Sequence, residues 1–288
     1  MEVSQVIACG NILGEGPWWD ATEQTLYWVD IDGKKIQRFS YATLTYESFD
    51  QPLKVSLVVK RRQGGFMCAT ENGFHFWNPT DNRLEFIHDP EEGKPGARFN
   101  DGKADRGGRL WAGTMTHGGD ASSALYRLGA DLQCERVAEG ITISNGIGWS
   151  PDQRVMYHTD SLRRVIFAYD YDAESGEIRN RREFTRIDPA AGEPDGLTVD
   201  SEGYVWSALY DGWKVTRYDP HGRTVLELPL PVARPSSCAF GGPEMNKLFI
   251  TTISEGLSAA EKEAQPLAGD VLVFDSEYRG LEEPPFGG

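Results

Sequence analysis

Four polar residues occupy corresponding places in the sequence, each ten or eleven residues before a short apolar run. They are Glu15 in GEGPWW, Asn100 in FNDGKA, Asn145 in SNGIGW and Asp195 in PDGLTV, and three of them directly precede glycine. Two carboxylates and two amides brought to one place would repel or stay poorly paired unless a cation or ordered water joined them. Ligands that offer only oxygen select Ca²⁺, Mg²⁺ or Mn²⁺, with Zn²⁺ also possible. The pattern therefore predicts a site for one divalent metal ion.

The four residues suit different roles at such a site. Glu15 and Asp195 would neutralise the charge of the ion, Asn145 would offer a neutral amide oxygen, and Asn100 would hold water or support the ligands. The remaining coordination positions would stay open for water and substrate, as a catalytic metal requires. Any one motif alone also fits a tight turn, because glycine after a polar residue permits turn geometry.

The elements that must position these residues are short strands at a regular spacing of 40 to 50 residues. Six runs rich in β-branched and aromatic residues, most of them bracketed by turn formers, lie at 26–30, 65–70, 110–115, 155–160, 205–210 and 248–252. A second apolar run and a hairpin-like turn follow most of them, which gives roughly four strands per repeat. Such a period is typical of propeller blades. We therefore expect an all-β, six-bladed β-propeller with four-stranded blades, although a β-sandwich of hairpins is an alternative.

In a propeller, the same place in every repeat projects around one central axis, so residues far apart in the sequence converge. Ser56 and Ser237 hold this place in the two remaining repeats and would form smaller wall positions. The spacing leaves no break for a second domain, so residues 1–288 are predicted to form a single propeller domain. We expect the N-terminal strand to close the ring against the last blade.

Composition and charge narrow the classes of function. The 288 residues include 44 acidic and 29 basic side chains, and the formal charge of −15 would repel phosphate backbones and anionic membranes. The four cysteines stand far apart without a C-x-x-C pair, and the sequence has neither a basic leader nor a long apolar stretch. We therefore expect a cytoplasmic protein, a monomer or weak oligomer, that binds neither nucleic acid nor membrane.

Other motifs in the sequence indicate little chemistry. The stretch DYDAESGE from Asp170 is similar to an EF-hand loop, but its glycine comes one place late and its twelfth residue is Arg181. No G-x-S-x-G, Walker or H-E-x-x-H motif occurs, and the five histidines lack metal-ligand spacing. His117, in a Gly-rich loop, is the histidine placed best to reach the site.

Several segments are similar, in the same order, to those of a known family: ARFNDGKADRGGRLWAGTM, ISNGIGWSPD, EPDGLTVDSEGYVW and SSCAFGG. They resemble the regucalcin and gluconolactonase family of metal-dependent sugar lactonases, from LGEGPWW to QPLAGDVLVF. The resemblance implies a six-bladed propeller with one divalent metal at the positions of Glu15, Asn145 and Asp195. It adds Arg98 and Asn100 as an R-x-N motif that contacts substrate, whereas Arg98 taken alone fits a solvated surface arginine.

The resemblance also implies a reaction, the hydrolysis of an aldono-lactone such as glucono-, galactono- or xylono-lactone to the aldonic acid. The metal would polarise the carbonyl and activate water, Asp195 would accept the proton, and Arg98 with Asn100 would orient the small-molecule sugar lactone. The loop 116–123 is shorter than in the family, and Asp120 is a loose candidate for an acidic sugar contact there. Two alternatives stay open, an organophosphate or aryl-ester hydrolase on the same propeller and a non-catalytic calcium-binding propeller.

Overall fold

Twenty-four strands form six antiparallel sheets of four strands in the computed structural model, which describes residues 2–288. The six sheets are blades around one axis, so the predicted all-β, six-bladed propeller with four-stranded blades is confirmed. A 3₁₀ helix at Pro189–Ala191 and an α-helix at Ala259–Ala264 lie between strands. Within residues 2–288, no helix has the length and apolar character needed to span a membrane.

The strands, in chain order, are β1 Val3–Ile7, β2 Gly14–Asp20, β3 Thr25–Asp30, β4 Lys35–Ser40, β5 Thr45–Asp50, β6 Val55–Lys60, β7 Phe66–Thr70, β8 Gly73–Asn78, β9 Arg83–His88, β10 Ala97–Ala104, β11 Leu110–Thr116, β12 Ser123–Leu128, β13 Cys134–Ile141, β14 Ser144–Trp149, β15 Val155–Asp160, β16 Val165–Tyr171, β17 Ile178–Arg186, β18 Glu193–Val199, β19 Val205–Tyr210, β20 Lys214–Tyr218, β21 Thr224–Pro229, β22 Pro235–Gly241, β23 Lys247–Thr252 and β24 Val271–Asp275.

Five blades consist of four consecutive strands, and the sixth combines both ends of the chain. Blades 1 to 5 are β2–β5, β6–β9, β10–β13, β14–β17 and β18–β21, each ordered from the axis outwards. Blade 6 has the order β22, β23, β24 and β1, in which Val6 pairs with Leu272. The N-terminal strand therefore closes the ring, as predicted. That residues 1–288 behave as a single domain, and as a monomer or weak oligomer, stays a prediction.

Burial decreases from the axis to the rim of a blade, and this gradient explains the strand sequences. All six residues of β3 are buried, whereas five of the six residues of β5 are exposed. Strands covered on both faces carry short, nearly continuous apolar runs such as LYWVD. Aromatic pairs with ring centroids 4.5 to 6.5 Å apart join each blade to the next: Tyr27–Phe66, Phe74–Phe99, Trp111–Trp149, Phe184–Tyr218, Trp206–Phe240 and Phe249–Trp19.

Every inner strand carries a β-bulge close to its start. The ladder to the second strand shifts at Glu15/Trp18, Val55/Leu57, Phe99/Asp101, Asn145/Ile147, Pro194/Leu197 and Pro235/Ser237. A bulge leaves one residue unpaired in the ladder and re-aims the neighbouring side chains. The six bulges lie at the same end of the axis, so polar residues placed there can meet.

The C-terminal segment 276–288 crosses the opposite end of the ring. Its backbone hydrogen-bonds to four blades through the pairs Gly280–Met245, Arg279–Ser201, Phe286–Arg62 and Gly287–Gly108. The Phe286 side chain is fully buried in the largest apolar cluster, and Glu283 pairs with Lys103 Nζ at 2.8 Å. This segment covers the end of the axis that lies away from the bulges.

Candidate active site

Five predicted site residues line one cavity of about 240 Å³ at the bulged end of the ring. Glu15 comes from β2, Arg98 and Asn100 from β10, Asn145 from β14 and Asp195 from β18. Four different blades thus contribute to one wall of polar side chains. The equivalent repeat positions do converge in space, as the propeller prediction requires.

The two predicted serine wall positions do not line this cavity. Ser56 is fully buried, and its Oγ donates to the carbonyl oxygen of Phe99 at 2.6 Å, which ties blade 2 to blade 3. Ser237 faces the neighbouring inner strand, because a Cβ atom added to Gly196 would lie 2.1 Å from Ser237 Oγ. The glycine after Asp195 therefore permits close packing of blades 5 and 6, and Ser237 fills the space beside it.

Glu15 and Asp195 are carboxylates in an environment that disfavours their charge. Both side chains are buried, and neither forms a salt bridge within residues 2–288. Burial raises the pKa of each well above its usual range; the charge of Asp195 raises the pKa of Glu15 further, and the charge of Asp101 raises the pKa of Asp195. The backbone N–H of Gly16 donates to Glu15 Oε2 at 3.0 Å, but this single bond does not offset burial. A cation beside the pair would reverse this disadvantage.

Two buried oxygen atoms at the site have no hydrogen-bond donor in the described part of the chain: Asn145 Oδ1 and Asp195 Oδ1. The Asn145 amide is oriented by its Nδ2, which donates to Ser161 Oγ at 3.1 Å. A buried acceptor without a partner is unfavourable by about 1–3 kcal/mol. Hard divalent ions prefer amide and carboxylate oxygens as ligands. Asn145, Asp195 and Glu15 offer such oxygens and therefore fit the predicted metal ion. Residues 2–288 contain no group of three His, Cys, Asp or Glu suited to a metal, so any ion here would depend on the amide and on water.

Arg98 and Asn100 form a hydrogen-bonded pair on the cavity wall. Arg98 Nη1 donates to Asn100 Oδ1 at 2.9 Å and to the carbonyl oxygen of Phe99 at 2.8 Å. Asn100 Nδ2 donates to the carbonyl oxygen of Ser144 at 2.9 Å, so both ends of its amide are occupied. Asn100 thus connects blades 3 and 4 and holds the guanidinium in place, and Arg98 is a half-buried wall residue rather than a solvated surface arginine.

Asp101 is a third buried carboxylate that the sequence reasoning missed. Its side chain is 7% exposed, and Oδ1 accepts from the backbone N–H of Gly102 at 2.7 Å. Burial raises its pKa from 3.8 to about 6. The signal was present in FNDGKA, where Asp follows Asn100 at the place that glycine holds after the other three polar residues. When ionised, Asp101 adds negative charge near the predicted ligands and raises the pKa of both Glu15 and Asp195.

Residues from loops and strand ends complete the cavity, including Tyr210, Glu255 and Ile253. The repeat pattern did not predict these residues, because they reach the site through the packing of blades and not through a position that recurs in every repeat. His117 lies in a separate cavity, and Asp120 is exposed, where its Oδ1 accepts from Thr116 Oγ1 at 2.9 Å. The structure therefore does not bring either loop residue to the predicted ligands.

A six-bladed propeller with an axial pocket of buried carboxylates and amides defines the class of this protein. The chain belongs to the SMP-30/Gluconolactonase/LRE-like family, whose model matches residues 13–254. The predicted resemblance is confirmed, and so is the predicted lactonase class at the level of this family.

Individual relatives span almost the whole chain. Regucalcin of Danio rerio is 37% identical over 93% of this chain and 92% of its own. The 6-deoxy-6-sulfogluconolactonase of Pseudomonas putida is 35% identical over 98% of each chain. Among solved structures, a calcium-binding protein, regucalcin, from Agrobacterium tumefaciens superposes with a TM-score of 0.94 at 25% identity, covering 99% of this chain and 97% of that one.

Proposed function

We propose that this chain hydrolyses the ester bond of an aldono-lactone, such as glucono-, galactono- or xylono-lactone, with one bound divalent cation. The observation that supports this most is the meeting of Glu15, Asn145 and Asp195 in a cavity whose wall also holds Arg98. The names of the relatives, which include a 6-deoxy-6-sulfogluconolactonase, support a sugar lactone as the substrate class.

Glu15, Asn145 and Asp195 are the residues that would hold the cation. The unpartnered oxygens of Asn145 and Asp195 and the two buried carboxylates support this assignment. Ca²⁺, Zn²⁺, Mn²⁺ and Mg²⁺ all accept such oxygen ligands, and the calcium-binding relative adds support for the first. When bound, such an ion supplies Lewis acidity, which polarises a carbonyl and lowers the pKa of water.

The side chains of the cavity would perform the remaining steps. Arg98 donates hydrogen bonds to the lactone and fixes its ester group at the site, while Asn100 holds the guanidinium. Asp195 accepts a proton from the attacking water on a carboxylate oxygen. The water oxygen bonds to the carbonyl carbon, the bond from that carbon to the ring oxygen breaks, and the proton passes to the departing ring oxygen. The product is the open-chain acid.

The apolar part of the same cavity supports a second candidate reaction. Met115, Ile143 and Ile253 also line the cavity, and Tyr210 adds an aromatic ring. Such a lining suits an aryl group, so hydrolysis of aryl esters or organophosphates is the alternative. Phenyl acetate and paraoxon, assayed beside the sugar lactones, separate the two candidates.

The test begins with purified protein freed of metal by chelation, to which each of the four cations is returned separately. Lactone opening is followed by acid release for glucono-, galactono- and xylono-lactone. We expect activity only with added cation, and a loss of at least about 10²-fold in Asp195→Ala, the usual contribution of a general base. Asp120→Ala, on an exposed loop outside the cavity, is the matched control and should keep full activity.

Wild-type turnover by folded Asp195→Ala in metal-replete buffer would refute the proposed mechanism. Complete inactivity on every lactone and ester, together with tight cation binding by calorimetry, would favour the non-catalytic calcium-binding propeller instead.

A further inference from the structure

A second polar cavity of about 310 Å³ lies at the same end of the ring, between blades 2 and 3. Its walls come from the β7–β8 turn with Asn72, from the segment 89–97 that leads into β10, and from the loop with His117. Arg98 lines this cavity and the candidate active site alike. The two cavities therefore share one guanidinium as their common wall.

The hydrogen bonds of Arg98 leave it able to serve both cavities. Within residues 2–288, all of its hydrogen bonds run through Nη1, to Phe99 and Asn100. A guanidinium has five N–H donors in a fixed plane, so the donors on Nε and Nη2 remain for a ligand. Because Asn100 fixes Nη1, the position of these donors is set before a ligand arrives.

The charges of the second cavity are largely paired already. Lys54 Nζ lies 2.6 Å from Asp32 Oδ1, and Lys94 Nζ lies 2.5 Å from Glu91 Oε2. Glu71 and Asp89 add further carboxylates to the lining. A phosphate or sulfate would find only the Arg98 guanidinium outside an ion pair among these lining cations, with the carboxylates of Glu71 and Asp89 opposing it. Hydroxyl groups, by contrast, can donate to the carboxylates and accept from the guanidinium and ammonium groups.

The wall formed by the segment 89–97 is anchored to blade 3. Glu91 is buried, and its Oε1 accepts from Tyr126 Oη at 2.7 Å and from Thr114 Oγ1 at 3.4 Å. Glu91 thereby holds Lys94 and the adjacent backbone beside Arg98. This wall of the second cavity is therefore held in place by contacts to blade 3.

We propose that the second cavity is a subsite for a second sugar ring, so that the chain accepts lactones of disaccharide aldonic acids. The reacting lactone ring would occupy the first cavity, and the neutral, hydroxyl-rich second ring would lie beyond Arg98. This inference rests on the proposed lactonase function. Ligand pockets usually measure about 300 to 1,000 Å³, and the two cavities of about 240 and 310 Å³ reach that range when taken together.

The test compares glucono-lactone with cellobiono-lactone, a disaccharide lactone with the same reacting ring, using the cation-loaded protein. We expect the wild type to have a KM for cellobiono-lactone at least tenfold below that for glucono-lactone. Asn72→Trp fills the second cavity from an exposed turn residue, and His117→Trp fills it from the opposite wall. Each should lower the ratio of kcat/KM for cellobiono-lactone to that for glucono-lactone at least tenfold.

Gln63→Trp is the matched control, because Gln63 is an equally exposed turn residue in a different cavity at the far end of blade 2. It should leave the ratio unchanged. Calorimetric binding of the product acids gives a second readout, in which cellobionate binds at least tenfold more tightly than gluconate to the wild type but not to Asn72→Trp.

The possible failures are distinguishable. If glucono-lactone is hydrolysed but cellobiono-lactone is not preferred, or if both tryptophan variants keep the wild-type ratio, the subsite is refuted and the proposed function stands. If neither lactone is hydrolysed by folded, cation-loaded protein, the proposed function is refuted and the subsite with it.

Discussion

Replacement of Asp101 by asparagine should stabilise the cation-free protein at neutral pH. The carboxyl is buried with one hydrogen bond, from the N–H of Gly102, which the amide oxygen of asparagine can also accept. Burial raises the pKa of Asp101 from 3.8 to about 6, so the folded chain resists ionising this group. Since each pKa unit corresponds to about 1.36 kcal/mol, ionisation at neutral pH disfavours the folded state by roughly 3 kcal/mol.

The effect has a definite sign and pH range. Below about pH 3 the carboxyl is protonated in both the folded and the unfolded chain, and the substitution should change little. Between the unfolded pKa near 3.8 and the folded pKa of about 6, the unfolded chain releases its proton first, so the contribution of Asp101 to wild-type stability falls as pH rises. Asp101→Asn lacks this decline. Its advantage over the wild type should therefore grow from near zero at about pH 3 to roughly 3 kcal/mol at about pH 7.5.

Urea unfolding in EDTA, followed by tryptophan fluorescence across this pH range, measures the difference. Asp120→Asn makes the same chemical change on an exposed loop and should show no such rise. An Asp101→Asn advantage that does not vary with pH, or a loss of stability at neutral pH, would refute the electrostatic reasoning. A saturating divalent cation should shrink the advantage, because its charge favours the ionised carboxylate.

A buried ion pair, a buried histidine and the proposed cation site each predict a measurable change in stability. Arg217 Nη2 lies 2.7 Å from Asp200 Oδ2, and both side chains are buried. Arg217→Ala should therefore lower the free energy of unfolding, measured in urea, by about 3–5 kcal/mol. Arg279→Ala removes an exposed ion pair and should change that free energy by about 1 kcal/mol or less. Burial lowers the pKa of His158 to about 4, so NMR should find its ring neutral in the folded protein above about pH 5, and the contribution of this ring to stability should fall as pH drops from 6.5 toward 4. A cation at about 100 times its Kd should stabilise the wild type by about 2.7 kcal/mol in thermal melts, but not Asp195→Ala.

The repeat pattern predicted the fold and the convergence of Glu15, Asn145 and Asp195 on one cavity. Strand spacing is a local property, and the inner-strand position of Glu15, Asn145 and Asp195 follows from it. Asp101 was missed because β10 has a bulge at this point, which places two successive residues near the axis. The alternation of side chains along a strand does not reveal such a bulge.

Contacts that arise only from tertiary packing could not be predicted from the sequence either. Tyr210 and Glu255 reach the cavity only because blades 5 and 6 pack beside each other. The segment 276–288 shows no repeat pattern, and its place across the ring depends on contacts with blades distant in sequence. His117 was the histidine expected nearest the site, but the loop that carries it turns toward the cavity between blades 2 and 3.

Pairing of β1 with β24 ties the proposed cation site to the order in which the chain is made. A nascent chain presents β1 long before β24, because synthesis proceeds from the N-terminus. Glu15 in blade 1 and Asp195 in blade 5 lie on either side of blade 6, which stays incomplete until β24 has emerged. A chain made only as far as β23 thus has the three proposed ligands but not their final arrangement. If ring closure strengthens ion binding, ion binding must strengthen ring closure by the same factor. A bound ion would then stabilise the closed ring in newly made chains.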